Sequence, residues 1–232
     1  MPPFIYLLLV CVGGFLAGGI PFGYLTGRLV LHDDIRNHGS GNIGATNVGR
    51  VLGWNWGSLV LLLDALKGLL PTLGTLLLAR GTVPTEWAGH CSVAAGLSAV
   101  IGHMYPIYLR FRGGKGVATA LGVVVVLAPQ AMVVALGFFI VTLILGRRMA
   151  LASIVAALAF GISYLLLQGS DAWNTAALSL TCFAVCVPAM IIWRHRANIV
   201  RLMAGTEPVI SQRLRPDSEQ NPPASPDHPA DQ

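Results

Sequence analysis

The chain has 232 residues, of which 54% are hydrophobic and only 11% charged, with a mean hydropathy of +0.68. Soluble domains carry about 25% charged residues, so this composition excludes a water-covered globule. It also excludes a disordered, fibrous or disulfide-stapled chain over most of its length. The formal charge of +5 is therefore read from where the 15 Lys and Arg fall around membrane spans, and not as the basic face of a nucleic-acid binder.

The first apolar run covers residues 4–31 and has no Lys or Arg before Arg28. A secretory signal has the opposite polarity, so this run is predicted to be a retained first span. Within it Gly19, Gly23 and Gly27 recur every four residues, either as a face for close helix contact or as flexibility around Pro21. Further apolar stretches cover residues 56–79, 87–101, 117–146, 150–167 and 173–193. A membrane crossing takes about 20 residues, and the 117–146 stretch is too long for one. Pro129 lies inside it and marks a kink or a turn.

Charge separates those two readings. If the chain turns back at Pro129, thirteen loop and tail cations (Arg28, Arg36, Arg50, Arg110, Arg112, Lys115, Arg147, Arg148, Arg194, Arg196, Arg201, Arg213 and Arg215) share one side. Only Arg80 then faces the other side, and Lys67 lies within a span. A single crossing splits them six against eight. The positive-inside rule thus predicts an all-α protein of seven transmembrane helices, amino terminus outside and carboxyl terminus cytoplasmic. Trp54, Trp56, Trp87, Trp173 and Trp193 fall at predicted span ends, as an aromatic belt requires. Residues 1–207 read as one membrane domain. Residues 208–232, with six prolines, four acids and no aromatic, read as a disordered tail. The four cysteines (Cys11, Cys91, Cys182 and Cys186) read as small apolar packing residues.

Three polar segments interrupt the apolar chain, all on the predicted cytoplasmic side. The first, residues 38–50, reads HGSGNIGATNVGR. Its G-x-G-x-x-G spacing signals dinucleotide binding only inside a βαβ unit, and here it follows a membrane span. What remains is a glycine-rich loop with Ser40, Gly41, Asn42, Thr46, Asn47 and Arg50, whose donors suit an oxyanion. An ordinary capped turn is the competing reading. The second segment, residues 102–119, carries Gly113, Gly114, Lys115 and Gly116 immediately before a helix start, which offers free N–H groups and a cation to an anion. Arg110 and Arg112 either bind substrate or obey the positive-inside rule, and His103 is a packing or capping histidine unless the site claims it. The third, residues 194–207, carries His195 and Asn198 three apart on one helix face, and then Glu207. Inside the second span, Asp64 and Lys67 are also three apart, either a mutually neutralising pair or functional groups.

These segments resemble the three cytoplasmic motifs of the bacterial integral-membrane acyl-phosphate:glycerol-3-phosphate acyltransferases. The stretches that carry the likeness are GGIPFGYL, GSGNIGATNVGR, LLDALKG, GHMYPIYLRFRGGKGVATALG, LASI and WRHRANIVRLMAGTE, in order, from about Phe4 to Glu207. The resemblance implies seven spans and the transfer of an acyl group from acyl phosphate to the 1-hydroxyl of glycerol 3-phosphate. The products are lysophosphatidate and phosphate, at the start of phospholipid synthesis in the bacterial cell (inner) membrane. It implies no metal or nucleotide cofactor and no nucleic acid. The implied partners are acyl phosphate, glycerol 3-phosphate and membrane lipids, with the soluble enzyme that makes acyl phosphate as a candidate for the tail.

By position, Ser40 and Arg50 match the family's essential serine and arginine, and the glycines around Lys115 match its glycerol-phosphate loop. His195 and Asn198 match its active histidine and asparagine, and Glu207 a mainly structural glutamate. Catalysis is thus expected from Ser40, Arg50, Lys115, His195 and Asn198. Substrate binding is expected from Gly41, Asn42, Thr46, Asn47, His103, Arg112, Gly113, Gly114, Gly116 and Ser153, and structural support from Asp64, Lys67 and Glu207. Two departures stand out: Ala150 occupies a position where the family often has serine, and Arg112 replaces a common lysine. An acyl phosphate is already activated, so direct transfer without an acyl-enzyme is expected, the proton passing to His195 or to the donor phosphate. The alternatives are an acyl-CoA-dependent lipid acyltransferase, whose His-x-x-x-x-Asp pair is missing here, and an anion transporter, which needs polar groups through the spans.

Overall fold

The computed structural model describes residues 2–210, and all regular elements among them are helical. The α-helices are α1 (Pro3–Gly19), α2 (Phe22–Thr26), α3 (Ala45–Leu52), α4 (Trp54–Ala79), α5 (Thr85–Met104), α6 (Val117–Leu127), α7 (Pro129–Gly146), α8 (Met149–Gln168), α9 (Thr175–Arg194) and α10 (Arg196–Met203). Six segments are long and apolar enough to cross a membrane: Pro3–Leu31, Trp54–Ala79, Thr85–Leu109, Pro129–Gly146, Met149–Trp173 and Thr175–Arg194. The remaining expected span, α6, has 11 residues. At 1.5 Å per residue it reaches about 16 Å, roughly half of a 30 Å hydrocarbon layer.

The turn at Pro129 has a simple cause. Proline has no N–H for the helix ladder and pushes the residue before it out of the helical region. Ala128 accordingly sits at φ −147°, ψ 60°, and Pro129 opens α7. Lys115, just before α6, and Arg148, just after α7, both reach the same group of residues around Glu207. The chain therefore reverses at residues 128–129, and α6 and α7 begin and end at the same end of the bundle.

The first apolar run is also interrupted. It breaks at Ile20–Pro21, continues as α2, and closes in a π-helical turn, Gly27–Leu31, that ends at His32 with φ 56°. Gly19, Gly23 and Gly27 thus lie on three elements and not on one helix face. Each is still a point of close approach, to the Tyr108 ring, the Ile43 carbonyl and Ile35 respectively. The small-residue seam between spans lies earlier, where Gly14 and Gly18 of α1 touch the backbone of Ala95 and Ala99 in α5. Gly102 of α5 returns the contact against Phe15. A second seam joins α4 to α6, with Gly68 on Thr119 and Gly122 on Ala65. Between helices in lipid no hydrophobic force operates, so this backbone proximity is what holds the spans together.

The main apolar core lies between α5, α6, α8 and α9, around Val100, Met104, Val123, Phe160, Phe183 and Val187. Trp56, Trp87, Trp173 and Trp193 are exposed at helix ends, whereas Trp54 packs its ring onto Gly49 at the α3–α4 corner. Cys91 is buried and Cys11 half-buried, whereas Cys182 and Cys186 lie exposed on α9. Of the expected tail, residues 208–210 are held: Pro208 accepts from Arg50, and the Ile210 N–H donates to the Arg147 carbonyl. Residues 211–232 lie outside the described residues.

A side chain at Gly18 would overlap the Ala99 backbone, whereas Gly13 has open space. Gly18→Leu is expected to lower the thermal midpoint in detergent, as an overpacking cost of about 1–3 kcal/mol requires. Gly13→Leu leaves it unchanged in the same melt.

Candidate active site

The three polar segments come together at one end of the bundle around a single cavity lined by Ser40, Asn42, Thr46, Asn47, Arg50, Asp64, His103, Lys115, Gly116, Ser153, His195, Asn198 and Glu207. Each segment is shaped by backbone hydrogen bonds before it presents a side chain.

In the first, Asn47 is the hub. Its amide nitrogen donates to the carbonyls of Ile35 (3.3 Å), His38 (3.0 Å) and Asn42 (2.8 Å), and its Oδ1 accepts the Ser40 N–H at 2.7 Å. All its polar capacity is used, so this residue builds the loop although it also lines the cavity. Gly39 and Gly41 take φ values of 59° and 69°, and a Cβ at Gly39 would overlap Asn47 Oδ1. Asn42 Oδ1 accepts the Gly44 N–H at 2.8 Å, at the start of α3. The loop leaves the Ser40 hydroxyl without a partner among the described residues. Arg50, 4% exposed, donates from Nη2 to the Pro208 carbonyl at 3.1 Å and keeps Nε unpartnered. Burial lowers its pKa from the ordinary guanidinium value.

The second segment is wired onto the end of α5. The N–H groups of Arg110, Phe111, Arg112, Gly113 and Gly114 donate in turn to the carbonyls of Ile107, Pro106, Leu109, Met104 and His103. A Cβ at Gly113 or Gly114 would collide with His103, and one at Gly116 (φ 85°) with Met104. Only glycine lets this loop lie flat on α5 and turn Lys115 into the cavity. Gly116, Val117 and Ala118 line the wall there, so the start of α6 also faces the cavity.

The third segment meets Lys115 directly. Lys115 Nζ donates to Asn198 Oδ1 at 2.6 Å, and Asn198 Nδ2 donates to Glu207 Oε1 at 2.8 Å. Arg201 Nε donates to Glu207 Oε2, also at 2.8 Å. Burial first, then the positive charges of Arg201, Arg50 and Arg194, bring the Lys115 pKa down to about 8, against the opposing pull of Glu207. At neutral pH Lys115 is a cation with a proton held less tightly than usual. His195 is 2% exposed and donates from Nδ1 to the Ile191 carbonyl at 2.8 Å. A carbonyl only accepts, so the lone pair sits on Nε2. Burial, followed by the Lys115 charge, pulls its pKa to about 4, so this imidazole is neutral at pH 7.

Below the loop, Asp64, Lys67 and His103 form a buried polar group between spans. Lys67 Nζ lies 2.8 Å from Asp64 Oδ1 and donates to the Ile20 carbonyl, freed by the break before Pro21, at 2.8 Å. His103 Nδ1 is 3.7 Å from the same carboxylate. The expected Asp64–Lys67 pair is present, and it also braces the broken first span against α4.

Of the expected binding residues, Gly41, Arg112 and Gly113 face a separate outer cavity, and Gly114 covers His103. Ser153 lines the inner cavity but donates its hydroxyl to the Met149 carbonyl at 2.8 Å. Ala150 lines it as well, at the position where the family often carries serine. Sequence reading missed the apolar wall of Leu61, Val117, Ala118, Phe139 and Met149. In a span made of apolar residues nothing distinguishes those that face a cavity from those that face lipid. Among the described residues no three His, Cys, Asp or Glu side chains converge on a possible metal position.

Residues 8–205 match the family model described as Glycerol-3-phosphate acyltransferase. A glycerol-3-phosphate acyltransferase of Myxococcus xanthus is 47% identical over 195 residues, covering 84% of this chain and 94% of that one. One from Listeria monocytogenes is 40% identical over 206 residues, covering 89% and 98%. The fold superposes on the crystal structure of PlsY (YgiH), an integral membrane glycerol 3-phosphate acyltransferase, in its glycerol 3-phosphate form. The TM-score is 0.76 at 36% identity, over 88% of this chain and 94% of that one. The lysophosphatidic acid form of PlsY gives a TM-score of 0.74 at 35% identity, over 89% and 96%. Matched over residues 8–205 by one family model, and over 84–89% of its length by relatives and solved structures of one kind, this chain belongs to the glycerol-3-phosphate acyltransferase family as an integral-membrane acyltransferase.

Proposed function

We propose that the protein transfers a fatty acyl group from acyl phosphate to the 1-hydroxyl of glycerol 3-phosphate, directly and without metal or acyl-enzyme. The observation that carries this reading is the cavity itself. A cation and free donors (Lys115, Arg50 Nε, the Ser40 hydroxyl) share one space with a neutral histidine and an apolar wall. Phosphate groups of acceptor and donor occupy the cationic side, and the acyl chain lies along Leu61, Val117 and Phe139. Ser40 serves as a hydrogen-bond donor, since no imidazole partners its hydroxyl among the described residues.

In the transfer, the glycerol hydroxyl oxygen bonds to the acyl carbonyl carbon, the carbonyl–phosphate bond breaks, and orthophosphate leaves with the electron pair. His195 Nε2 takes the hydroxyl proton. Lys115, held by Asn198, meets the charge that grows on the leaving phosphate. The bundle sits in the bacterial inner membrane with the amino terminus outside, and the cavity end and carboxyl terminus in the cytoplasm. The α6–α7 hairpin supplies two of seven spans, α6 being the short one. The soluble enzyme that makes acyl phosphate is a candidate partner for residues 208–232.

Purified metal-free protein given labelled glycerol 3-phosphate should form lysophosphatidate with palmitoyl phosphate and none with palmitoyl-CoA. Product from the CoA donor overturns the donor assignment, and no product from either overturns the function. Lys115 acts as a cation, so kcat/KM should fall as pH rises through about 8. Lys115→Arg keeps its charge well above that range, and should move the alkaline limb upward while lowering the plateau by about tenfold. His195→Ala should reduce kcat by about 10²–10⁴ with glycerol 3-phosphate binding retained. Near-normal turnover in that variant assigns the proton to the donor phosphate.

A further inference from the structure

A second cavity adjoins the reaction cavity on the outer side of the glycine loop. It is lined by Asp34, Arg36, Asn42, Arg112, Gly113 and Arg194, among others. Three arginines stand against one aspartate, a net formal charge of +2 on its walls. Asp34 and Arg36 neutralise each other through a bidentate contact, with Nη2 to Oδ2 at 2.6 Å. Arg194 donates to the carbonyls of Gly113 and Gly114 at 2.7–3.0 Å, so its charge is fixed in place but not cancelled. Arg112 has no side-chain partner among the described residues. It stands on rigid backbone, directly after two left-handed residues, Arg110 (φ 51°) and Phe111 (φ 62°), in the run of five bonded amides.

The same loop thus offers one cation to each cavity, Arg112 outward and Lys115 inward, three residues apart. Asn42 lines both spaces. Glycerol 3-phosphate and orthophosphate are dianions that cannot cross lipid, so they need an aqueous route past this wall. We propose that the outer cavity is a second anion site, where Arg112 and Arg194 receive the phosphate monoester before it passes to Lys115 and hold the departing orthophosphate afterwards. This rests on the acyl-transfer reading above for the identity of the anions, and on the outer geometry for the site.

The test compares wild type with Arg112→Gln and Arg112→Lys in steady-state transfer to glycerol 3-phosphate at several ionic strengths. Arg112→Gln should lower kcat/KM for glycerol 3-phosphate by about tenfold through KM, and flatten its salt dependence. Arg112→Lys should stay within about twofold, because long-range capture needs the charge more than the fork. A wild-type kcat/KM and salt slope in Arg112→Gln overturns the site and leaves Arg112 as a topogenic charge. A fall in kcat alone also overturns it, since that reports a displaced Lys115. Orthophosphate binding, read by phosphorus NMR line broadening in the Lys115→Met background, should persist there and disappear when Arg112→Gln is added. This readout needs no turnover, so an inactive wild type sinks the acyl-transfer reading, while failure to bind in that background sinks the outer site.

Discussion

A chain of four polar side chains, Lys115–Asn198–Glu207–Arg201, ties the glycine loop to the helix that leaves the last span. In a low-dielectric setting each of these groups is costly unless partnered, and each partner here comes from the chain itself. Asn198 is central because an amide both accepts and donates, so it joins a cation to a carboxylate without joining them directly. The cavity has its shape because this chain is closed. Arg148, Arg50 and residues 208–210 then gather around the same carboxyl-terminal strap.

The second constraint is backbone proximity. Three polar segments converge only because spans approach closely enough for their ends to share carbonyls. Gly14 and Gly18 set α1 against α5, and Gly68 and Gly122 set α4 against α6. Gly113 and Gly114 then let the loop reuse the carbonyls at the end of α5. A Cβ on any of these glycines would overlap neighbouring backbone or, at Gly114, the His103 ring, so the cavity end inherits its geometry from packing deep in the bundle.

The electrostatics follow from this crowding. Burial lowers the Lys115 pKa to about 8, and the charges of Arg201, Arg50 and Arg194 add to it against the pull of Glu207. Such a site gains when a dianion enters, because the anion relieves repulsion that the fold itself maintains. The same field and the same burial keep His195 neutral with a free Nε2, the state a proton acceptor needs.

Much of this was legible in the chain. Apolar run lengths and the placement of cations gave the helical membrane class, and Pro129 the reversal, because hydrocarbon thickness and proline's missing N–H act locally. The glycine and polar clusters marked the three segments that carry Ser40, Arg50, Lys115, His195 and Asn198, because polar residues stand out in an apolar sequence, and the fold brings these five to one cavity. Other features depended on distances between spans. Asn47 proved to be a structural hub, Gly19, Gly23 and Gly27 fell on three elements, and Arg112 and Lys115 faced different cavities. The apolar wall at Leu61 and Phe139 had no sequence signal. Hydrophobic periodicity reports which residues avoid water, and in a membrane nearly all do. Which of them faces a cavity, a neighbouring helix or lipid is decided only when the helices pack.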